Sequence, residues 1–81
     1  MYNYSKEFFV GAKIVNLNKG EEYITLQSLL QVVGEIPTGG MAKIYLAENS
    51  VLVNGEPENR RGRKLYSGDE IRLVNAVFKV K

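Results

Sequence analysis

The sequence predicts a small α+β domain: a β-rich N-terminal stretch, two consecutive helices, then several short strands. Three observations predict it. Residues 25–34, TLQSLLQVVG, carry apolar side chains at helical spacing. Residues 38–49, TGGMAKIYLAEN, resume a helical pattern after a break at Pro37. From residue 50 onward, short apolar runs alternate with glycine-containing turn signals. Helices and strands gathered into separate stretches, without regular alternation, give the α+β class.

Taken in order, residues 1–22 are predicted to form a β-rich extension and residues 23–81 the main domain. In the extension, FFVGAKIVNLNKGEEYI is apolar and β-rich, and Asn18-Lys19-Gly20 marks a turn. A hairpin with arms near 8–16 and 21–25 is expected there, with Phe8 and Phe9 in the core or covering the sheet. Thr25 is placed to N-cap the first helix. Leu26, Leu29, Leu30 and Val33 then fall on one helical face, and Gly34 suits the left-handed position that ends it. The second helix is expected to start at Thr38 or one of the following glycines and to stop at Asn49. It is apolar over most of its circumference and is expected to be largely packed, apart from Lys43 in its first turn. Next, SVLVNGE runs into Asn54-Gly55, a tight-turn signal, and Pro57 restricts the next residues to an edge or loop. Beyond the turn Ser67-Gly68-Asp69, Ile71 and Leu73 alternate with polar neighbours as in a half-buried strand, and AVFKVK forms the last strand.

Composition narrows the function. With 81 residues, of which 44% are hydrophobic and 25% charged, the chain makes one globular domain. It contains no cysteine and no histidine. Thiol nucleophiles, nucleophile–histidine pairs and Cys- or His-based metal sites are therefore excluded. The remaining carboxylate pairs, Glu21/Glu22 and Asp69/Glu70, sit beside glycines in turn-like contexts and read as solvated turn charges. An enzyme is not expected, nor a cofactor, a metal or a small-molecule substrate. No apolar run approaches the roughly 20 residues of a membrane span, and the N-terminal residues lack the apolar stretch of a signal peptide. The expectation is a cytoplasmic monomer without membrane contact.

The charge distribution is uneven. Of 11 Lys and Arg, four lie within five residues: Arg60, Arg61, Arg63 and Lys64. The rest of the chain then holds seven cations against nine Asp and Glu. Four cations this close repel one another. Glu56, Glu58, Asp69 and Glu70 flank the run and are candidate partners within the fold, but an external anion is the more natural relief, and the planar fork of arginine suits phosphate. A second anion-favouring feature is Thr38-Gly39-Gly40, where free backbone amides at a helix start adjoin Lys43, although Thr and Gly there also serve plain helix capping. Two other motifs fail. Gly34 to Gly39 has the glycine spacing of a phosphate-binding P-loop, but Gly40 and Met41 stand where that motif needs Lys and Ser or Thr. The stretch VLVNGE…LYSGDEIRLV is similar to ubiquitin-like sulfur carriers, but the chain ends FKVK and not Gly-Gly.

Residues from about 25 to 74 resemble the S4 RNA-binding domain, and within that family the small stand-alone YaaA-type proteins of bacteria. The resemblance is carried by GGMAK, VLVNGE and RRGRKLYSGD, in that order and spacing. It implies an S4-like (alpha-L) fold, two helices packed on a small bent β-sheet, with an RNA surface on the helices and the adjoining strand–loop region. Carried over position by position, the RNA-binding residues are Thr38, Gly39, Gly40, Met41, Lys43, Asn54, Arg60, Arg61, Arg63 and Lys64, with Val53 and Gly55 completing the strand-and-turn signature. Many members of the family have an arginine or a serine–arginine pair where this chain has Gly39-Gly40, which shifts weight there to backbone amides. The resemblance further implies ribosomal RNA as the partner, held by phosphate and shape contacts, and a role in ribosome assembly or a related RNA process. The alternative expectation is a protein-interaction module whose basic loop meets an acidic partner.

Overall fold

The first strand, β1, spans Lys13–Val15 in a computed structural model that describes residues 12–81. It is followed by β2 (Tyr23–Thr25), helix α1 (Leu26–Val32), a 3-10 turn (Gly39–Met41) and helix α2 (Ala42–Glu48). Five strands complete the chain: β3 (Leu52–Val53), β4 (Glu56–Pro57), β5 (Lys64–Tyr66), β6 (Glu70–Arg72) and β7 (Val77–Val80). They build a five-stranded mixed sheet in the order β1-β7-β6-β3-β4 and a two-stranded ribbon of β2 and β5. The expected α+β class holds.

Helix α1 starts and stops where its sequence dictates. The Thr25 side chain accepts a hydrogen bond from the Ser28 amide, satisfying one of the four amides a helix start leaves free. At the other end Gly34 adopts φ +85°, which a side chain would resist. The Gly34 amide donates to the Gln31 carbonyl and the Glu35 amide to the Leu30 carbonyl. This paired arrangement closes the helix C-terminus. Leu26, Leu29 and Leu30 are completely buried, while Val32 on the opposite side is exposed.

Helix α2 departs from expectation in two respects. Its entry is a 3-10 turn in which the Met41 amide donates to the Thr38 carbonyl and the Ala42 amide to the Gly39 carbonyl. Thr38 stands at the capping position in extended conformation, yet its side chain makes no capping bond, and the Met41 amide is taken by the Thr38 carbonyl instead. The helix is also less packed than its composition suggested. Ala42 and Leu46 are buried, but Ile44 is 51% exposed and Met41 40% exposed. Seven residues make only two turns, and one face suffices to reach the core. Asn49 ends the helix, its side-chain amide donating to the Tyr45 carbonyl. The Tyr45 hydroxyl donates to Glu35 Oε1 at 2.9 Å, tying α2 to the segment after α1.

The expected N-terminal hairpin does not form among the described residues. The turn exists, with the Glu21 amide donating to the Asn18 carbonyl and Gly20 at φ +86°. Its two flanks go to different sheets. β1 pairs in parallel with β7, and the ladder continues through Lys81 N–H to the Val15 carbonyl and Leu17 N–H to the Lys81 carbonyl. β2 pairs antiparallel with β5. The reason is that both β7 and β5 offer an open edge whose amides need partners, and a local hairpin would satisfy neither. Phe8, Phe9 and the first arm up to residue 11 lie outside the described residues.

The C-terminal turns obey their signals. Asn54 (φ 53°) and Gly55 (φ 85°) form a two-residue hairpin turn between Val53 and Glu56. Pro57 sits on β4, the outermost strand, where its missing amide costs nothing. Gly68 (φ 97°) turns β5 into β6. Side chains from both sheets and both helices meet in one core, which includes Val15, Leu26, Leu29, Leu30, Ile36, Leu46, Val53, Leu65, Ile71 and Phe78.

Leu29→Ala is expected to lower the unfolding free energy by roughly 2–5 kcal/mol, the usual cost of truncating a buried leucine. Urea denaturation followed by circular dichroism measures it.

Candidate nucleic-acid interface

The basic loop is fastened to the start of α1 by its own main chain. The Leu26 amide donates to the Arg63 carbonyl and the Gln27 amide to the Arg61 carbonyl, both at 2.9 Å. Together with the Thr25 cap, these bonds satisfy three first-turn amides. Within the loop the Arg63 amide donates to the Arg60 carbonyl, closing a turn. Strand register adds a further constraint, since Thr25 at the head of α1 pairs with Lys64 at the end of the loop. With its carbonyls aimed at the helix, the loop leaves the side chains of Arg60, Arg61 and Lys64 exposed.

Gln27 also reaches the second anion-favouring feature. A Cβ built on Gly39 would lie 2.5 Å from Gln27 Nε2, so the glutamine side chain rests directly over the glycine. One residue of α1 therefore touches the basic loop through its backbone and the entry to α2 through its side chain. Gly40 and Lys43 are exposed beyond that contact. Neither Gly39 nor Gly40 has positive φ; Gly39 makes room for the Gln27 side chain, and the space beside Gly40 is largely open.

The four cations are not equivalent. Glu58 is only 9% exposed and binds two of them. Arg60 meets it as a fork, Nε to Oε2 at 2.9 Å and Nη2 to Oε1 at 3.1 Å, while the Arg60 amide donates to Oε2 at 3.0 Å. Arg63 Nη1 donates to Oε1 at 2.6 Å. These bonds, the one from Arg60 foremost, hold the Glu58 carboxyl down at about 2 in spite of its burial. Arg61, Lys64 and Lys43 have no carboxylate partner among the described residues. Instead, Lys64 Nζ lies 4.9 Å from the centroid of the Tyr23 ring.

The comparison with known families decides the class. The S4 domain model matches residues 15–81. The chain belongs to the S4 domain family. It carries the RNA-binding module of that family over nearly its whole length. A relative from Bacillus subtilis (strain 168), the probable ribosome maturation protein RlbA, is 56% identical over 52 residues, which span 64% of this chain and 73% of the relative.

Within the S4 domain, the sequence-predicted positions sort into three groups. Gly39, Arg61 and their neighbours Gly40, Arg60, Arg63 and Lys64 are drawn together around the start of α1 through Gln27 and the loop. Thr38, Met41 and Lys43 stand along the entry to α2, all exposed. Asn54 is held elsewhere. Its Nδ2 donates to Asp69 Oδ1, its Oδ1 accepts from the Glu70 amide, and its own amide donates to the Glu70 carbonyl. Asp69 Oδ2 in turn accepts from the Tyr66 amide at 2.7 Å, so Asn54 clamps the β5–β6 turn. Sequence reasoning missed Gln27, whose role depends on a contact with Gly39 twelve positions away. It also missed Tyr23 and Tyr66, which the β2–β5 register places opposite each other. Among the described residues no group of His, Cys, Asp and Glu is placed to hold a metal ion, and no helix is long and apolar enough to cross a membrane.

Glu58 generates a prediction for stability and its pH dependence. Its folded-state carboxyl titrates below the unfolded one, so its stabilisation is complete above about pH 4.5 and disappears as pH falls toward about 2. Glu58→Gln is expected to cost roughly 1.5–3 kcal/mol at neutral pH, the range for charge-assisted hydrogen bonds, and to flatten the acid limb between those values. Denaturant titrations at stepped pH compare the two proteins.

Proposed function

We propose that this protein binds structured ribosomal RNA and acts in ribosome maturation in the cytoplasm, holding RNA without catalysing a reaction. The observation that carries the reading is the Gln27 junction, where the basic loop and the exposed entry to α2 adjoin one another. The name of the B. subtilis relative supports the ribosomal assignment.

Arg61, Lys64 and Lys43 carry full charge toward solvent and contact phosphates first. Arg60 and Arg63 share one carboxylate, which lowers the net field they present while fixing their position. Gly40, with no side chain and largely open space beside it, lets an RNA backbone approach closely, while Gly39 makes room for Gln27. Because α2 has only two turns, its dipole adds little, and most of the attraction comes from side chains. Contacts of this kind grip A-form RNA by shape and charge, since its deep major groove is closed to side chains. They position the RNA without reading sequence.

Replacing Arg61 and Lys64 together with Gln is expected to make the log–log salt dependence of affinity shallower by about 1.4–1.8, at roughly 0.7–0.9 per lost phosphate contact. The same change weakens binding to unrelated structured RNAs by a similar factor. The measurement is a titration of both proteins against ribosomal RNA fragments at several salt concentrations. Equal slopes would remove the loop from the interface and leave an acidic protein as the partner to seek.

A further inference from the structure

The two-stranded ribbon carries a feature that phosphate binding does not use. Tyr23 and Tyr66 are opposite each other on β2 and β5, with ring centroids 5.8 Å apart and planes inclined by 53°. Their neighbours Ile24 and Leu65 point the other way, Leu65 into the core without any exposure. The tyrosines face solvent, Tyr23 37% and Tyr66 46% exposed. Lys64 lies over the Tyr23 ring, and Tyr66 lines a surface depression with Arg60, Gly62, Arg63 and Lys64.

The Tyr66 backbone is held on both sides of its residue. Its amide donates to Asp69 Oδ2, its carbonyl accepts from the Asp69 amide, and Asn54 holds Asp69 in place. The ring thus stands on a fixed turn, so little backbone freedom is lost when something stacks on it. Its surroundings select the occupant. An apolar protein side chain entering this depression would strip water from Lys64 and Arg60 and offer their charges nothing. A nucleotide brings a flat π surface for the ring and phosphates for the cations.

We propose that Tyr66, backed by Tyr23, is a stacking platform for one unpaired base of the RNA, with the flanking phosphates on Lys64 and Arg60. The inference rests on the RNA-binding reading and adds to it a preference for RNA in which a base is free to leave the helix. Stacking on an aromatic side chain tolerates any base, because every base has a π face.

The test uses two RNA probes, a blunt, fully paired two-stranded stem of about 16 base pairs, the span of a typical duplex-RNA module, and the same stem carrying a four-nucleotide bulge. Wild type and Tyr66→Phe should prefer the bulged stem by about 5- to 150-fold, the range that one aromatic–base stack supports. Tyr66→Leu, which keeps apolar bulk but not the π face, should lose that preference. A second readout avoids any dependence on the leucine variant's folding. The chain has five tyrosines and no tryptophan, so its intrinsic emission comes from tyrosine. The bulged stem should quench that emission in wild type, and less so in Tyr66→Phe. A preference retained by folded Tyr66→Leu, or quenching unchanged in Tyr66→Phe, would overturn the platform while leaving phosphate binding intact. If wild type binds neither stem, the RNA-binding reading fails and the platform fails with it.

Discussion

Two backbone hydrogen bonds, from the amides of Leu26 and Gln27 to the carbonyls of Arg63 and Arg61, hold the basic loop against the first helix. Each partner needs the other. The start of α1 has amides that no helical carbonyl can reach. The loop has carbonyls that would otherwise depend on water. Joining them completes the first turn of the helix and turns a mobile type of sequence, arginines around a glycine, into a fixed strip. The ribbon of β2 and β5 holds the same junction from the other side, because β2 runs directly into α1 and the loop runs directly into β5. The placement of every candidate RNA contact on the loop depends on this docking.

The same junction explains how the charge is tolerated. Four cations in five residues would splay a free loop apart. Glu58 lies beneath it, nearly buried, and takes Arg60 and Arg63 on its two oxygens. A buried carboxylate alone would be costly, but two guanidinium groups and a backbone amide compensate it. The acid therefore locks the loop, and among the described residues Arg61 and Lys64 have no carboxylate partner. Lys64 in turn rests on Tyr23, which limits where its charge can move. The result is a surface ordered before any ligand arrives, which lowers the entropy lost on binding.

Local chemistry made much of this legible in the sequence. Thr25 and Gly34 bounded α1, Asn54-Gly55 and Gly68 set their turns, and the alternation of Ile71 and Leu73 marked the central strand, because each signal acts within a few residues. Non-local pairing was not legible. Nothing in KIV or VFKV says that they run parallel side by side, and a nearby turn made a hairpin the simpler expectation. Of the candidate site, the cationic run and the entry to α2 stood out by composition. Glu58 was visible only as one of four flanking acids, since burial distinguishes it and burial depends on the fold. Gln27, Tyr23 and Tyr66 carry no unusual spacing; the register of β2 on β5 and the packing over Gly39 give them their positions. The exposed Ile44 and Met41 show the converse error, where apolar composition overstated the packing of a short helix.

If the docked loop and the entry to α2 form one RNA surface joined at Gln27, a single titration reveals it residue by residue. Amide chemical shifts of the isotope-labelled protein are followed while a structured ribosomal RNA fragment is added. The largest shifts are expected at Gln27, Gly39, Gly40, Lys43 and Arg60 to Lys64, with Lys13, Arg72 and Lys79 of β1, β6 and β7 little changed. Shifts concentrated on those three strand residues, with the amides of Gln27 and the basic loop unmoved, would contradict a surface built on the docked loop.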